Sequence, residues 1–312
     1  MQKILITGAG GFIGSHTTDT LLAAGKQVIG IDNFSTGNRD NLSEAGKNPL
    51  FTLIEGDITE PGLMGKMVAE HQPDSIIHLA ALVSVPAGEE DPGKNFHLNV
   101  IATQMVAEAA RNSGVKRTVF ASSAAVYGNS IALPLAESGS TVPISQYGAA
   151  KLMSEQLLQA YATSYGISSI CFRFFNVYGP RQDPKSPYSG VVSIFAERYI
   201  SGAGATVFGD GEQSRDFIFV KDLAKALSAA ATDPTQTDGI YNLCTGKSST
   251  LLDLIDILAE AYPEVPAAKF AEDRAGDIKH SLGKPDAARE LLAFEASTPF
   301  SDGIRALLDS LA

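Results

Sequence analysis

A doubly wound α/β fold is what this 312-residue chain predicts, and three observations carry the prediction. Short, almost wholly apolar runs alternate with helix-length stretches through the first half. A glycine-rich turn joins the first apolar run to the first helical stretch, and the second apolar run ends on an acid. The composition, 44% hydrophobic and 19% charged, is that of a soluble globular protein long enough to bury a sizeable core.

Taken in order, residues 3–7 read as the first buried strand and 11–24 as the helix it feeds. Strands follow at 27–32 and 51–55, then a helix at 61–72 and a strand at 75–79. A helix at 95–112, a strand at 117–122, a helix at 146–165 and a strand at 168–174 complete the alternation. Strands apolar along their whole length need helices over both faces, which makes the sheet parallel. From about Asn176 glycine and proline punctuate the chain, and helices at 191–201, 220–232, 250–261 and 301–311 are separated by long loops. Long ordered loops usually bind something. The expected organisation is a cofactor domain over 1–175 and a smaller C-terminal α/β substrate-binding domain over 176–312. Residues 217–219 and 240–243 are candidates to return to the main sheet.

Charge and chemistry narrow the function. A net charge of −11 and a pI near 4.9 argue against a nucleic-acid or anionic-membrane surface, which needs clustered Lys and Arg. Cys171 and Cys244 lie far apart in apolar contexts, so neither a disulfide framework nor a zinc site is expected. Five scattered histidines show no ligand spacing, and no metal is expected. The N-terminal apolar run is too short for a signal peptide and no stretch approaches a membrane span. The expectation is a cytoplasmic enzyme acting on a small molecule.

The first strand runs into Gly8-Ala9-Gly10-Gly11-Phe12-Ile13-Gly14. Gly8 allows a tight turn, Gly11 lets a pyrophosphate approach the backbone, and Gly14 lets helix pack on strand. The anion would then sit on the helix N-terminus. Glycine spacing alone is weak, but here a strand precedes it, a helix follows, and Asp32-Asn33 stands 18 residues beyond Gly14. A carboxylate there bonds ribose hydroxyls and repels a 2′-phosphate, so NAD is expected rather than NADP in a Rossmann-type groove. Asp57-Ile58 would serve the adenine edge, or Asp57 caps a turn before Pro61. Leu79-Ala80-Ala81 would let the cofactor lie near the sheet, with plain close packing as the rival reading.

Tyr147 and Lys151 open a predicted helix at i, i+4 spacing, which puts phenol and ammonium on one face. With nine tyrosines the spacing alone proves little, and a surface pair is the bland reading. The run Ser122-Ser123-Ala124-Ala125-Val126-Tyr127-Gly128, at the end of the fifth strand, raises it. A hydroxyl, a phenol and a lysine around a nicotinamide form a proton-transfer set for alcohol–ketone chemistry. Tyr147 would exchange the alcohol proton, its pKa lowered by Lys151 and by the cationic nicotinamide. Ser123 would bond the reacting oxygen, and Lys151 would also hold the nicotinamide ribose.

This ordered set resembles the extended short-chain dehydrogenase/reductases, and within them it is most similar to the UDP-glucose/UDP-N-acetylglucosamine 4-epimerases, over nearly the whole chain. The resemblance implies a catalytic Ser123 with Ser122 as helper, and a supporting role for Asn99 in FHLNVIAT, otherwise an ordinary helix residue. Related dehydratases and decarboxylases carry acids where this chain has Ala124 and Ala125, so chemistry at a single carbon is implied. The resemblance also implies that Asn176 contacts the UDP diphosphate. Ser189-Gly190-Val191-Val192 would close over the nucleotide through its backbone, with Phe208 by the uracil and Arg215 and Arg274 on the diphosphate. Asp277 would orient Arg274 or reach the uridine ribose. Ser281 stands where some members carry a bulky Tyr, which leaves room for an N-acetyl group at C2. The implied activity is C4 epimerisation of UDP-hexoses with tightly bound NAD, N-acetylated sugars included. The alternatives are another nucleotide-sugar reaction (4-reduction or 2-epimerisation) and a non-catalytic NAD-binding protein. A homodimer through the 95–112 and 146–165 helices is implied as well.

Overall fold

The computed structural model describes residues 1–185, 190–272 and 278–311. In chain order the first half contains β1 (Lys3–Thr7), α1 (Phe12–Ala23), β2 (Gln27–Asp32), β3 (Phe51–Glu55), α2 (Leu63–His71) and β4 (Ser75–His78). It continues through α3 (Val85–Glu90), α4 (Pro92–Phe96), α5 (Ala102–Ser113), β5 (Arg117–Ser123), α6 (Gln146–Tyr165) and β6 (Ser168–Phe174). The second half holds β7 (Asn176–Tyr178), α7 (Val191–Ile200), β8 (Thr206–Phe208), β9 (Ser214–Arg215), β10 (Phe217–Phe219) and α8 (Val220–Thr232). Then come β11 (Gly239–Leu243), β12 (Ser249–Thr250), α9 (Leu251–Ala261), β13 (Lys269–Ala271), β14 (His280–Ser281), α10 (Asp286–Leu292) and α11 (Phe300–Leu311).

Seven strands make one parallel sheet in the order β11-β6-β5-β4-β1-β2-β3. Side chains alternate across it as a strand requires. Ile4 and Ile6 of β1 enter a core with Leu21 of α1 and Leu223 and Leu227 of α8. Leu5, between them, enters the opposite core with Val68 of α2 and Val106 and Ala110 of α5. The fold is therefore doubly wound, with the direction of winding reversing between β1 and β4. Ligands bind at such a reversal, beyond the carboxyl ends of the strands.

The predicted strands match closely. β4 stops at His78, and β5 extends one residue to Ser123. The helix expected over 95–112 is present, running without interruption from Pro92 to Ser113, with a π-helical stretch inside it. Asp91 caps α4 by accepting from Lys94 N at 2.9 Å, His97–Ile101 forms a π-helical stretch, and α5 resumes after it. Of the two segments expected to return to the sheet, Gly239–Leu243 does so as edge strand β11, beside β6. Phe217–Phe219 does not: β10 pairs with β7 in a separate two-stranded ribbon. The cause is the chain leaving β6. Phe175 N still donates to Leu243 O at 3.2 Å, but Asn176 N turns to Asp216 O at 3.0 Å.

The remaining short strands, α7, α9 and α11 enclose a second core around Tyr178, Phe195, Tyr199, Val207, Leu254 and Leu307. Leu135 N donates to Leu282 O and Lys284 N to Leu135 O, at 2.8 and 2.9 Å. These bonds tie the segment beyond the turn that follows β5 to the loop after β14. Among the described residues no helix is long and apolar enough to cross a membrane.

Candidate active site

The groove at the sheet reversal is built from backbone. Gly8 has φ +75°, and a Cβ there would meet Ala80 N at 2.8 Å, so the turn after β1 lies hard against the strand end after β4. Gly14 has a different reason: a Cβ would sit 2.0 Å from Gly8 O, because α1 presses on the same turn. Gly11 is the N-cap of α1 and gives it no side-chain cap, which leaves N–H groups aimed at the groove. Phe12 and Ile13, the first turn of that helix, are half-buried beside it.

Asp32 ends β2 almost buried. Its Oδ2 accepts from Gly10 N at 2.8 Å and its Oδ1 from Phe34 N at 2.7 Å. Burial raises its pKa, and these N–H bonds work against the rise. Asp57 lies next to it: Asn33 Nδ2 donates to its Oδ2 at 2.9 Å, and Thr59 N and Oγ1 donate to its Oδ1 at 2.8 and 2.7 Å. Burial would raise this carboxyl, but those donors prevail and hold it low. Asp57 therefore caps the Thr59 turn, as the capping reading has it. Ile58 points inward, buried in the core with Met64 and Val68.

Leu79, Ala80 and Ala81 hang from a buried relay the sequence reading missed. Leu79 N and Ala80 N both donate to Thr7 Oγ1 at 3.2 Å. Thr7 Oγ1 meets His78 Nδ1 at 2.7 Å, and His78 Nε2 meets Thr103 Oγ1 at 3.1 Å. Thr103 spends its proton on Asn99 O at 2.6 Å, which puts the imidazole proton on Nε2 and leaves Nδ1 to accept from Thr7. Burial lowers the His78 pKa to about 3, so the ring is neutral. Asn99 is fully engaged. Its Oδ1 accepts from Leu82 N at 3.1 Å, while its Nδ2 donates to Leu82 O at 3.2 Å and Asn95 Oδ1 at 2.8 Å. Asn95 Nδ2 in turn donates to Gln146 O at 2.9 Å. Asn99 thus holds the 80–82 loop to the start of α6 from within a π-helical turn, a common device at functional sites. A threonine closing one apolar strand and a histidine closing another were the signal for this relay.

Ser123, Tyr147 and Lys151 converge where β5 ends and α6 begins. Ser123 caps the turn Ala124–Tyr127, accepting from Ala125 N at 3.1 Å, and is hydrogen-bonded to Tyr147. Ser145 caps α6 by accepting from Gly148 N at 3.1 Å, and a Cβ on Gly148 would stand 2.6 Å from Ala125 O. The helix is thereby pressed onto the turn. Lys151 Nζ donates to Ala121 O at 2.8 Å and lies 5.8 Å from the Tyr147 ring centroid. Burial drives the Lys151 pKa down to about 7, opposed by Glu155. The expected lowering of Tyr147 is corrected for the chain by itself: burial raises it to about 12, and the Ser123 hydrogen bond offsets only part of that. Ser122 is corrected too. Successive strand residues face opposite ways, and its buried hydroxyl donates to Glu155, away from Ser123.

On the substrate side, Asn176 opens β7 with its side chain exposed. Asp216, buried beside Arg215, accepts from Thr245 N and Oγ1 at 2.7 and 2.8 Å and from Gly246 N at 2.9 Å. It was overlooked in the sequence, where a lone acid beside the apolar FIF run was the signal. With Asn176 N on its carbonyl, it fastens β7, β9 and the 245–246 turn together. Arg215 Nη1 donates to Ser214 O at 2.9 Å and Lys279 O at 3.2 Å, and its register partner in β14 is Ser281. Asn176, Arg215 and Ser281 are thus brought into one cluster of strands. Phe208 ends β8, half-buried, with Gln213 Nε2 donating to its carbonyl at 2.7 Å. Val191 starts α7, whose N-cap Gly190 gives no side-chain cap, and Val192 is buried in the second core, leaving only backbone to offer a ligand. Arg274, Asp277 and Ser189 lie outside the described residues. Among the described residues no group of His, Cys, Asp or Glu is arranged to hold a metal ion.

Comparison with known proteins agrees with this geometry. A family model described as the NAD dependent epimerase/dehydratase family matches residues 4–244. The chain is 37% identical over 304 residues to a UDP-glucose 4-epimerase of Mycolicibacterium smegmatis, covering 97% of this chain and 96% of the relative. Among solved structures it is similar to the UDP-N-acetylglucosamine 4-epimerase from Methanobrevibacter ruminantium in complex with UDP-N-acetylmuramic acid. There the TM-score is 0.94 at 35% identity, over 99% of this chain and 98% of that one. A UDP-glucose 4-epimerase of Thermus thermophilus in complex with NAD superposes with a TM-score of 0.88 at 34% identity, over 99% and 98% of the two chains.

Proposed function

The chain belongs to the NAD dependent epimerase/dehydratase family, and from that premise we propose that it interconverts UDP-hexoses epimeric at C4 while retaining its cofactor. It is an NAD-dependent enzyme of UDP-sugars. The observation that carries the reaction is the Ser123, Tyr147 and Lys151 set at the mouth of the groove, followed by Ala124 and Ala125, which can move no proton.

The groove fits NAD on this chain's own geometry. Gly8 leaves room where a Cβ would strike Ala80, α1 offers uncapped N–H groups to a pyrophosphate, and the Asp32 carboxylate stands ready for ribose hydroxyls. Bound there, NAD supplies hydride-accepting and hydride-returning chemistry at the sugar C4. Tyr147 takes the proton of the 4-hydroxyl, Ser123 bonds the same oxygen, and the Lys151 ammonium favours the phenolate. A transient 4-keto sugar would turn about its diphosphate to offer the opposite face of C4 for hydride return, and Tyr147 would give the proton back to O4. That turn needs a nucleotide held firmly and a sugar held loosely. Asn176 and Arg215 on the diphosphate and Phe208 beside the uracil fill the first requirement.

N-acetylated sugars are read as substrates because Ser281, next to Arg215 in register, is small. A second copy of the chain is the proposed partner, packed on the 95–112 and 146–165 segments, where Phe96 and Met153 are each 43% exposed. Sedimentation at a single dimer mass checks this. The activity is checked by following anomeric protons of UDP-GlcNAc and UDP-glucose by NMR without added NAD. Growth of UDP-GalNAc or UDP-galactose signals is expected. Conversion of UDP-glucose alone overturns the Ser281 reading, and no conversion of either by NAD-loaded protein overturns the activity.

A further inference from the structure

Behind the Ser123, Tyr147 and Lys151 set lies a buried polar chain. Glu155 is wholly buried on α6, one helical turn after Lys151. Its Oε1 accepts from the Ser122 hydroxyl and from Arg173 Nε at 2.9 Å, and its Oε2 accepts from Arg173 Nη2 at 2.8 Å. Arg173 is 3% exposed and is the register partner of Ser122 across β5 and β6. Burial opposes its charge, but the Glu155 carboxylate more than offsets that. Its Nη1 donates to Tyr127 Oη at 3.0 Å, and Tyr127 donates to Asn242 Oδ1 at 2.7 Å. Asn242 Nδ2 donates to Leu135 O at 2.9 Å, and Leu135 N donates to Leu282 O, the residue after Ser281.

We propose that Glu155 is a positioning residue for the reaction: with Arg173 it locks β5, β6 and α6 into one register, so that Ser123, Lys151 and Asn176 share a single frame. Two of these segments bear Ser123 and Lys151, and the third, β6, leads directly into β7, which opens on Asn176. Ser123 follows Ser122, Lys151 precedes Glu155 by one turn, and Asn176 follows Arg173 by three residues. Stability alone does not explain the pair, because a buried ion pair is commonly matched or bettered by apolar side chains of the same volume. What an apolar replacement cannot supply is a bidentate fork that accepts one register only. The pair is also the nearest carboxylate support for the Lys151 ammonium. The other titratable groups around Lys151 and the pair are Tyr147 on α6, His78 on β4, Cys171 on β6 and Tyr127 in the turn after β5.

The inference rests on the catalytic reading of Ser123, Tyr147 and Lys151. The test compares cofactor-loaded wild type with Glu155→Gln, Glu155→Asp and Ser122→Ala. Glu155→Gln is expected to lose about tenfold or more in kcat with KM within about threefold and NAD content unchanged. The alkaline limb of its kcat profile should move to lower pH, because Lys151 loses the carboxylate that favours its charge. Glu155→Asp should recover part of the rate, and Ser122→Ala should lose about threefold. A lower melting temperature with kcat and pH profile as in wild type overturns the proposal. Should Glu155→Gln not fold, unchanged kcat in both other variants overturns it equally. If the wild type itself turns over no UDP-sugar, the activity reading has failed on its own. The frame is then read from the Lys151 Nζ resonance of protein carrying nitrogen-labelled lysine, which should titrate lower in Glu155→Gln, or in Glu155→Asp if that variant alone folds. An unmoved titration overturns it.

Discussion

Tyr147 shows what a single residue can and cannot do by itself. Its phenol is pushed up to about 12 by burial, and the Ser123 hydrogen bond recovers only part. A positive charge brought alongside favours the phenolate, so NAD loading should pull the Tyr147 transition to lower pH. Difference titration of loaded and stripped protein, with Tyr147→Phe as blank, checks the direction; an unmoved transition refutes it. Tyr147→Phe itself should abolish turnover while keeping NAD. At Ser281 the expected effect is on selectivity. Ser281→Tyr should cut kcat/KM for UDP-GlcNAc about tenfold or more relative to UDP-glucose, measured with the two sugars in competition. The residues legible in the sequence were those with a spacing: the glycines, Asp32, and Tyr147 with Lys151. His78, Glu155 and Arg173 were illegible because each is read through a partner distant in sequence, and only a fold brings Arg173 to Glu155.

The elements carry the site by how closely they approach one another. α1 stands on the β1 turn with no space for a methyl at Gly14. Gly14→Ala should therefore cost about 1–3 kcal/mol by denaturant unfolding and weaken NAD retention together. Loss of stability with full retention would mean that α1 does not shape the groove. Strands were legible because those buried on both faces carry runs of apolar residues without polar alternation, as in residues 4–6 and 28–31. The π-helical stretch within the 95–112 helix was less so: Asn95 and Asn99 suit a helix surface by composition. Only their bonds to Gln146 and Leu82 show why the helix swells to a π turn there. β10 went astray because a three-residue apolar strand carries no mark of which sheet it joins.

Across the whole molecule the buried His78 couples stability to acid. Folded, the ring is neutral with a pKa of about 3; unfolded it regains a value near 6.5. Between those values the unfolded chain binds the extra proton, so stability falls as pH drops through that window, by a few kcal/mol in total. His78→Gln, which has one donor and one acceptor for Thr103 and Thr7, should flatten the decline in melting temperature between about pH 6.5 and 4. An equal decline in both proteins would place the acid lability elsewhere. A last consequence follows from the passage of the chain from β6 directly into β7. Because that continuous segment belongs to the main sheet and to the second ribbon, and β11 comes back from the far half to close the sheet, neither half owns a complete set of strands. Calorimetry should record one endotherm whose van't Hoff and calorimetric enthalpies agree. A gene cut after residue 175 should yield aggregating product, since β6 would be left as a bare edge. The two halves of this enzyme are therefore expected to fold and unfold together, the second supplying the edge strand that the first lacks.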